Sequence, residues 1–271
     1  MAKPRSLFFS QEIAPYLPAS ENSRFGKDLP TAMQGRKYEV RTFMPNFGAV
    51  NERRNQLHEV IRLSGVNVVI NDADHPLIIK VASMQPSRIQ VYFVDNDDYF
   101  QKSDDDADEA GSNRADNDER AIFYARGAVE TAEKLRWEPD IIQVSGWISA
   151  LIPLYIKRIF NESPDFKNSK VVYTVLRYPE VAPIDAAIFD KLAENGVQPA
   201  EIEILRKLPF DSRILDRIAI EYADAVVFNS EEPDAELLEA VKKRGIPFMA
   251  LNPEADNAEN YFNFYQSLKE Q

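Results

Sequence analysis

Several short segments carry residues whose types and spacing could do chemistry. Glu12 follows the apolar run Leu7-Phe8-Phe9 within Ser10-Gln11-Glu12-Ile13-Ala14-Pro15-Tyr16, and Ser20, Asn22 and Ser23 then precede Arg24 and Lys27. Capping side chains ahead of two cations could hold an anion at a helix start, where unpaired N–H groups and the helix dipole favour negative charge. The plainer and preferred reading is a polar surface helix that begins after Ser23. Ser145 and Trp147 lie in a turn after an apolar run, but Gln143-Val144-Ser145-Gly146-Trp147 is not a nucleophile elbow, and Trp147 is read as packing. Arg177 and Tyr178 follow an expected strand end, where open α/β sheets bind ligands, although Pro179 favours a plain loop. The only histidines, His58 and His75, stand apart, so structural or surface roles are preferred to acid–base work and no metal constellation can be assembled from them. Asp104, Asp106 and Asp108 fall at positions one, three and five of a calcium loop, but Glu109 and Ala115 occupy positions where glycine and a bidentate glutamate belong. The stretch 101–115 is therefore expected to be an acidic, flexible, solvated insertion.

The elements that must position these residues are read from periodicity. Short apolar runs alternate with helical stretches, the pattern of strands buried on both faces of a doubly wound, mostly parallel sheet in an α/β fold. Strands are expected over 6–9, 38–44, 66–70, 77–82, 89–94, 140–144, 170–175, 225–228 and 247–251. The stretch 57–94 lacks helix signals and reads as an antiparallel excursion turning at 71–74 and 85–87. A helix over 118–136 places Ile122, Ala125, Val129 and Ala132 on one stripe. A second is expected to be capped by Ser230, with Pro233 in its first turn and Gly245 as its stop. A third, over 259–268, aligns Tyr261, Tyr265 and Leu268 as a core face rather than a ligand platform.

Composition narrows the function classes. With 271 residues, 44% of them hydrophobic, the chain can bury a sizeable core, and 1–271 is read as one domain. The 44 acidic residues against 32 basic ones leave a charge of −12, and no stretch concentrates Lys and Arg on a face, which argues against nucleic acid and acidic membrane surfaces as partners. There is no cysteine, hence no disulfide or thiolate metal site. The nine glycines are so dispersed that no Gly-x-Gly phosphate loop exists. The apolar run at the N-terminus is too short for a signal peptide, so a soluble, cytoplasmic protein is expected.

The segment from Ser10 to Tyr16 resembles the opening S-A-E-x-A-P-[FY] of bacterial glycogen and starch synthases, retaining glucosyltransferases built from two Rossmann lobes. Further resemblances follow in order. Leu29-Pro30 stands at the family's spacing, and Glu39-Val40-Arg41-Thr42-Phe43-Met44-Pro45-Asn46-Phe47-Gly48 is similar to its next strand and turn. Val91-Tyr92-Phe93-Val94-Asp95, Asp116-Asn117-Asp118-Glu119-Arg120, Ala150-Leu151-Ile152-Pro153 and Tyr222-Ala223-Asp224-Ala225 match later motifs. The resemblance implies a Rossmann-like fold corresponding to the family's first lobe, the chain ending without the second.

The same resemblance exposes replaced chemistry. The family's K-T-G-G-L loop, which helps stabilise the departing diphosphate, falls on Pro18-Ala19-Ser20-Glu21-Asn22, so the lysine and both glycines are gone and Glu21 adds a negative charge. One like charge at ~4 Å in an effective dielectric of ~20 costs on the order of 4 kcal/mol. The H-x-H-D-W-H turn becomes Gln143-Val144-Ser145-Gly146-Trp147-Ile148, and T-I-H-N-L becomes Thr174-Val175-Leu176-Arg177-Tyr178. Glu12 is left either to face a sugar hydroxyl or to serve as a capping or ion-pair group. The implied function is a glycogen or starch synthase-like protein inactive alone, acting as a module that binds a glucan or a protein partner, including a second copy. One half of an ADP-glucose-dependent glucosyltransferase completed by another chain is the alternative, and an anion or sugar-phosphate module using Ser20, Asn22, Arg24 and Lys27 a third. No cofactor and no metal are expected.

Overall fold

The computed structural model describes residues 3–177 and 181–270, so Tyr178 lies outside the described residues. Ten strands form among them: β1 (Arg5–Ser10), β2 (Glu39–Pro45), β3 (His58–Glu59), β4 (Val66–Ile70), β5 (Ala73–Met84), β6 (Ile89–Asp95), β7 (Ile141–Ser145), β8 (Lys170–Val175), β9 (Ala225–Phe228) and β10 (Phe248–Ala250). Their order is β10-β9-β8-β7-β1-β2-β6-β5-β3, with β4 pairing to β5 off that path. The run from β10 to β6 is parallel throughout, and β3, β4 and β5 pair antiparallel. This is the Rossmann-like α/β fold, with the antiparallel excursion at one edge. Helices cover both faces, which explains why β7 and β8 read as near-continuous apolar runs rather than alternating ones. Asn71 and Asp72, at φ 54° and 59°, make the two-residue turn that pairs β4 with β5.

The helix α1 (Glu21–Gly35) begins three residues earlier than expected. Ser20 is its cap, and Ser23 closes a reciprocal capping box, with Ser23 N donating to Ser20 Oγ at 2.9 Å and Ser20 N to Ser23 Oγ at 2.8 Å. The helix Asn117–Lys134 buries the anticipated stripe and more, being enclosed on nearly all sides. The helix Ala235–Arg244 stops at Gly245, φ 67°, as expected, but Asp234 caps it, accepting from Glu236 N and Leu237 N at 3.0 Å. Ser230 instead accepts from Glu232 N within a local turn, because its hydroxyl lies too far upstream of the first helical N–H groups.

One apolar core unites the sheet with the helix Asn117–Lys134, and a second lies on the opposite face under α1 and the helix Ala258–Lys269. In that second core Tyr261 and Tyr265 are almost wholly buried, as the spacing predicted. Their hydroxyls meet buried polar groups of the sheet: Tyr265 donates to Gln143 Oε1 at 2.7 Å, Tyr261 lies 3.0 Å from Thr174 Oγ1, and Gln143 Nε2 donates to Thr174 at 2.8 Å. The expectation that no face gathers basic residues is corrected. Lys3, Lys37, Arg41 and Arg88, drawn from three separate stretches of the sequence, line one groove at the amino ends of the strands. No helix among the described residues is long and apolar enough to cross a membrane.

Candidate functional site

At the opposite rim, the carboxyl ends of β1 and β7 lie in register, Ser10 beside Ser145, and Gln11 N donates to Ser145 O at 3.2 Å. Gly146 then turns the chain at φ 88°, where a Cβ would stand 2.5 Å from that of Gln11, so only glycine fits. This closeness lets one side chain couple two loops. Gln11 Oε1 accepts from Trp147 N at 3.1 Å, while its Nε2 donates to Glu12 Oε1 at 3.0 Å. The other oxygen of Glu12 accepts from the cap of α1, Ser20 Oγ, at 2.8 Å. Gly26 completes the arrangement: a Cβ there would lie 2.1 Å from Glu12 O, so the helix packs directly on the Glu12 backbone.

Glu12 thus opens on a cavity of about 390 Å³ that also receives Ser20, Asn22 and Arg177, over walls formed by Leu17 and Pro18. Asn22 is 6% exposed, and its Oδ1 has no partner among the described residues. Three more acids join them: Glu21 from the first turn of α1, and Asp108 and Glu109 from the acidic stretch. Burial pushes the Glu12 carboxyl above its ordinary range, hydrogen bonds from Ser20 and Gln11 pull it back, and the negative charges of Asp108 and Glu109 raise it further. Glu21 accepts from Asn229 Nδ2 at 2.7 Å, and Glu109 pairs with Lys102 at 2.9 Å. Arg177 is exposed, and among the described residues it has no acidic partner and donates to Ser230 Oγ alone, at 3.4 Å. Such a site can bind hydroxyls and cations; it opposes an anion.

The stretch 101–115 is exposed over its first residues but closes on the body at Ala110, Gly111 and Ser112. The anchor is Arg120, 1% exposed, which donates to Tyr99 O at 2.8 Å, Ala110 O at 2.6 Å, Gly111 O at 2.9 Å and Asn117 Oδ1 at 2.7 Å. Burial lowers its pKa to about 10, so it stays charged at neutral pH. Asp108 is fixed in turn by the N–H groups of Ala110 and Ser112, at 3.0 Å each, and by the Ser112 hydroxyl. The placement of Asp108 and Glu109 over the cavity escapes sequence reasoning. Its one signal is Arg120, a lone cation in an apolar helix stripe that needs carbonyl partners from a neighbouring loop.

The remaining sequence-derived residues are not brought together. Ser145 and Trp147 are buried behind the cavity and reach it only through Gln11, and Trp147 lies against Arg120, 5.7 Å from ring centre to guanidinium. Arg24 lines a separate groove between α1 and the helix Ala258–Lys269, shared with Asp28, Glu254 and Asp256. Lys27 lines neither, so Ser20, Asn22, Arg24 and Lys27 make no common anion site. His58 is exposed on β3, and His75 is bonded to Asp98 and Tyr99, at 2.9 and 3.0 Å. Among the described residues no group of His, Asp or Glu is arranged to hold a metal ion.

The starch synthase catalytic domain family matches residues 5–246. The chain belongs to the glycogen and starch synthase family. A glycogen synthase of Chlorobium phaeobacteroides is 31% identical over 233 residues, covering 83% of this chain and 48% of the relative; that of Chlorobium luteolum is 33% identical over 195 residues, covering 72% and 40%. The chain therefore spans about half the length of the curated relatives it matches. A solved structure, the catalytic domain of starch synthase IV from Arabidopsis thaliana bound to ADP and acarbose, superposes with a TM-score of 0.69 at 14% identity, covering 92% of this chain and 51% of that one, a likeness of fold. Within this fold, residues 18–23 form the capping turn of α1. Ser23 Oγ donates to Pro18 O at 2.8 Å, and Ser20 is engaged on both sides. Residues 143–148 are buried, with Gln143 committed to Thr174 and Tyr265.

Proposed function

We propose that this chain is a binding module of the synthase family that receives neutral sugar hydroxyls, as on an α-glucan end, in the cavity at Glu12 and does not by itself transfer glucose from a nucleotide donor. The observation that carries this reading is the charge of the cavity: among the described residues, Glu12, Glu21, Asp108 and Glu109 line it against Arg177 alone. A carboxylate, a hydroxyl and a buried amide suit sugar hydroxyls, each of which both donates and accepts. A diphosphate leaving group needs N–H donors and cations at the same place. The test pairs native electrophoresis through glycogen with incorporation of labelled glucose from ADP-glucose. Retardation by glycogen without incorporation is expected. Incorporation at a rate comparable with the Chlorobium phaeobacteroides enzyme would overturn the proposal.

The match to about half of each relative favours a second reading, in which another polypeptide completes a glucosyltransferase. Against it, none of the large exposed apolar side chains among the described residues, Ile61, Val69, Ile204, Phe210 and Phe248, lines the cavity where such a partner would close. Mixing the chain with the carboxyl-terminal half of a glycogen synthase and finding no incorporation would remove this alternative.

A further inference from the structure

We propose that the groove at the amino ends of β1, β2 and β6 is an anion site for a compact, multiply charged phosphoryl ligand. Its volume is about 590 Å³, and Lys3, Lys37, Arg41 and Arg88 line it. None of these cations has an acidic partner among the described residues, and the one acid on the lining, Glu39, is taken by Arg5 at 3.2 Å. On a chain of net charge −12, four unpaired cations around one hollow repel each other with no local compensation. An anion relieves that repulsion.

Two further observations point the same way. Arg41 stacks over Trp137, 4.6 Å from the ring centre, and its Nη1 is buried with no hydrogen-bond partner, a guanidinium donor held in place with capacity to spare. Lys37 and Arg88 stand at φ 71° and 58°, in the left-handed region where glycine or asparagine would be less strained. Each turn therefore keeps a cation at a conformational cost. Guanidinium forks and ammonium groups converging from separate elements match phosphoryl oxygens, which accept from several directions at once. A compact ligand meets the four cations within the groove itself, whereas a long polyanion would extend beyond them over a chain of net charge −12.

This site is independent of the cavity at Glu12 and lies at the other end of the strands. The experiment is a calorimetric titration of the full chain with inorganic pyrophosphate at low ionic strength. Saturable one-to-one binding is expected, weakened about tenfold or more in the double variant Lys37→Gln/Arg88→Gln, whose side chains are exposed and make no ion pair among the described residues. The variant Lys243→Gln, which changes charge on the exposed face of the helix Ala235–Arg244, should bind as the parent does. Absence of saturable heat overturns the proposal, as does equal weakening by Lys243→Gln, which would mark diffuse attraction. Retardation by glycogen should be the same in the parent and the double variant, so the two proposals fail separately.

Discussion

The two ends of the parallel strands carry opposite charge. At the carboxyl ends, Glu12, Glu21, Asp108 and Glu109 surround a cavity with one arginine, while at the amino ends four cations surround a groove with one committed glutamate. Both ends are assembled from residues distant in sequence, on the same rigid sheet, and they differ in how the charge is held. The acidic end is buffered: its carboxylates accept hydrogen bonds from Ser20, Gln11, Asn229 and backbone N–H groups. The basic end is not, and Arg41 leaves a buried N–H group unused. Buffered charge is a feature of a settled structure; unbuffered charge marks a place that waits for something.

The largest test of this contrast is Arg120→Met. It strips carbonyls of Tyr99, Ala110 and Gly111 of their donor, so stability to urea should fall by about 3 kcal/mol, and Asp108 and Glu109 should leave the cavity. An unchanged urea midpoint would mean that the acidic stretch is not anchored there. Ser20→Ala removes the cap of α1 and one donor to Glu12 together, and should cost about 1 kcal/mol in the same measurement. Glu12→Gln probes the burial of the acid. Because folding raises this carboxyl's pKa, the native state holds its proton more tightly, and its contribution to stability declines as pH rises from the ordinary carboxylate range through the folded value. Calorimetric melting should therefore place the variant above the parent at about pH 7, with the gap closing towards about pH 4. The smallest effect belongs to the basic end. Lys37→Gly relieves a left-handed backbone and should stabilise by about 0.5 kcal/mol, while weakening pyrophosphate binding. Destabilisation instead would show that Lys37 is a structural residue.

Much of the scaffold was legible from residue patterns. The bounds of β4, β8 and β9 coincide with the runs 66–70, 170–175 and 225–228, because β-branched residues bounded by polar turns leave little choice of register. Gly245 as a helix stop follows from the left-handed conformation that glycine tolerates. Helix starts were harder. Ser20 and Ser23 are both competent caps, as are Ser230 and Asp234, and local sequence does not say which one the packing will choose. Of the candidate site, Glu12, Ser20, Asn22 and Arg177 converge, since all lie at strand ends or the helix cap that meets them. Asp108 and Glu109 could not be placed, because backbone carbonyls bind Arg120 and carbonyls leave no residue-type signature. The basic groove was hidden for a related reason: Lys3, the pair Lys37 and Arg41, and Arg88 are separated from one another by tens of residues, and only the sheet order brings them into one hollow.

The tyrosines of the last helix carry a consequence for where this unit begins and ends. Family likeness stops at residue 246, yet the helix Ala258–Lys269 seats two hydroxyls on Gln143 and Thr174 in the middle of the sheet and roofs the apolar layer beside Phe8 and Val172. A fragment trimmed to the homologous span would lay bare an oily floor in which Gln143 Oε1 has lost its donor. The boundary set by ancestry and the boundary set by packing are different lines on this chain, and the second decides what can be cut and still dissolve.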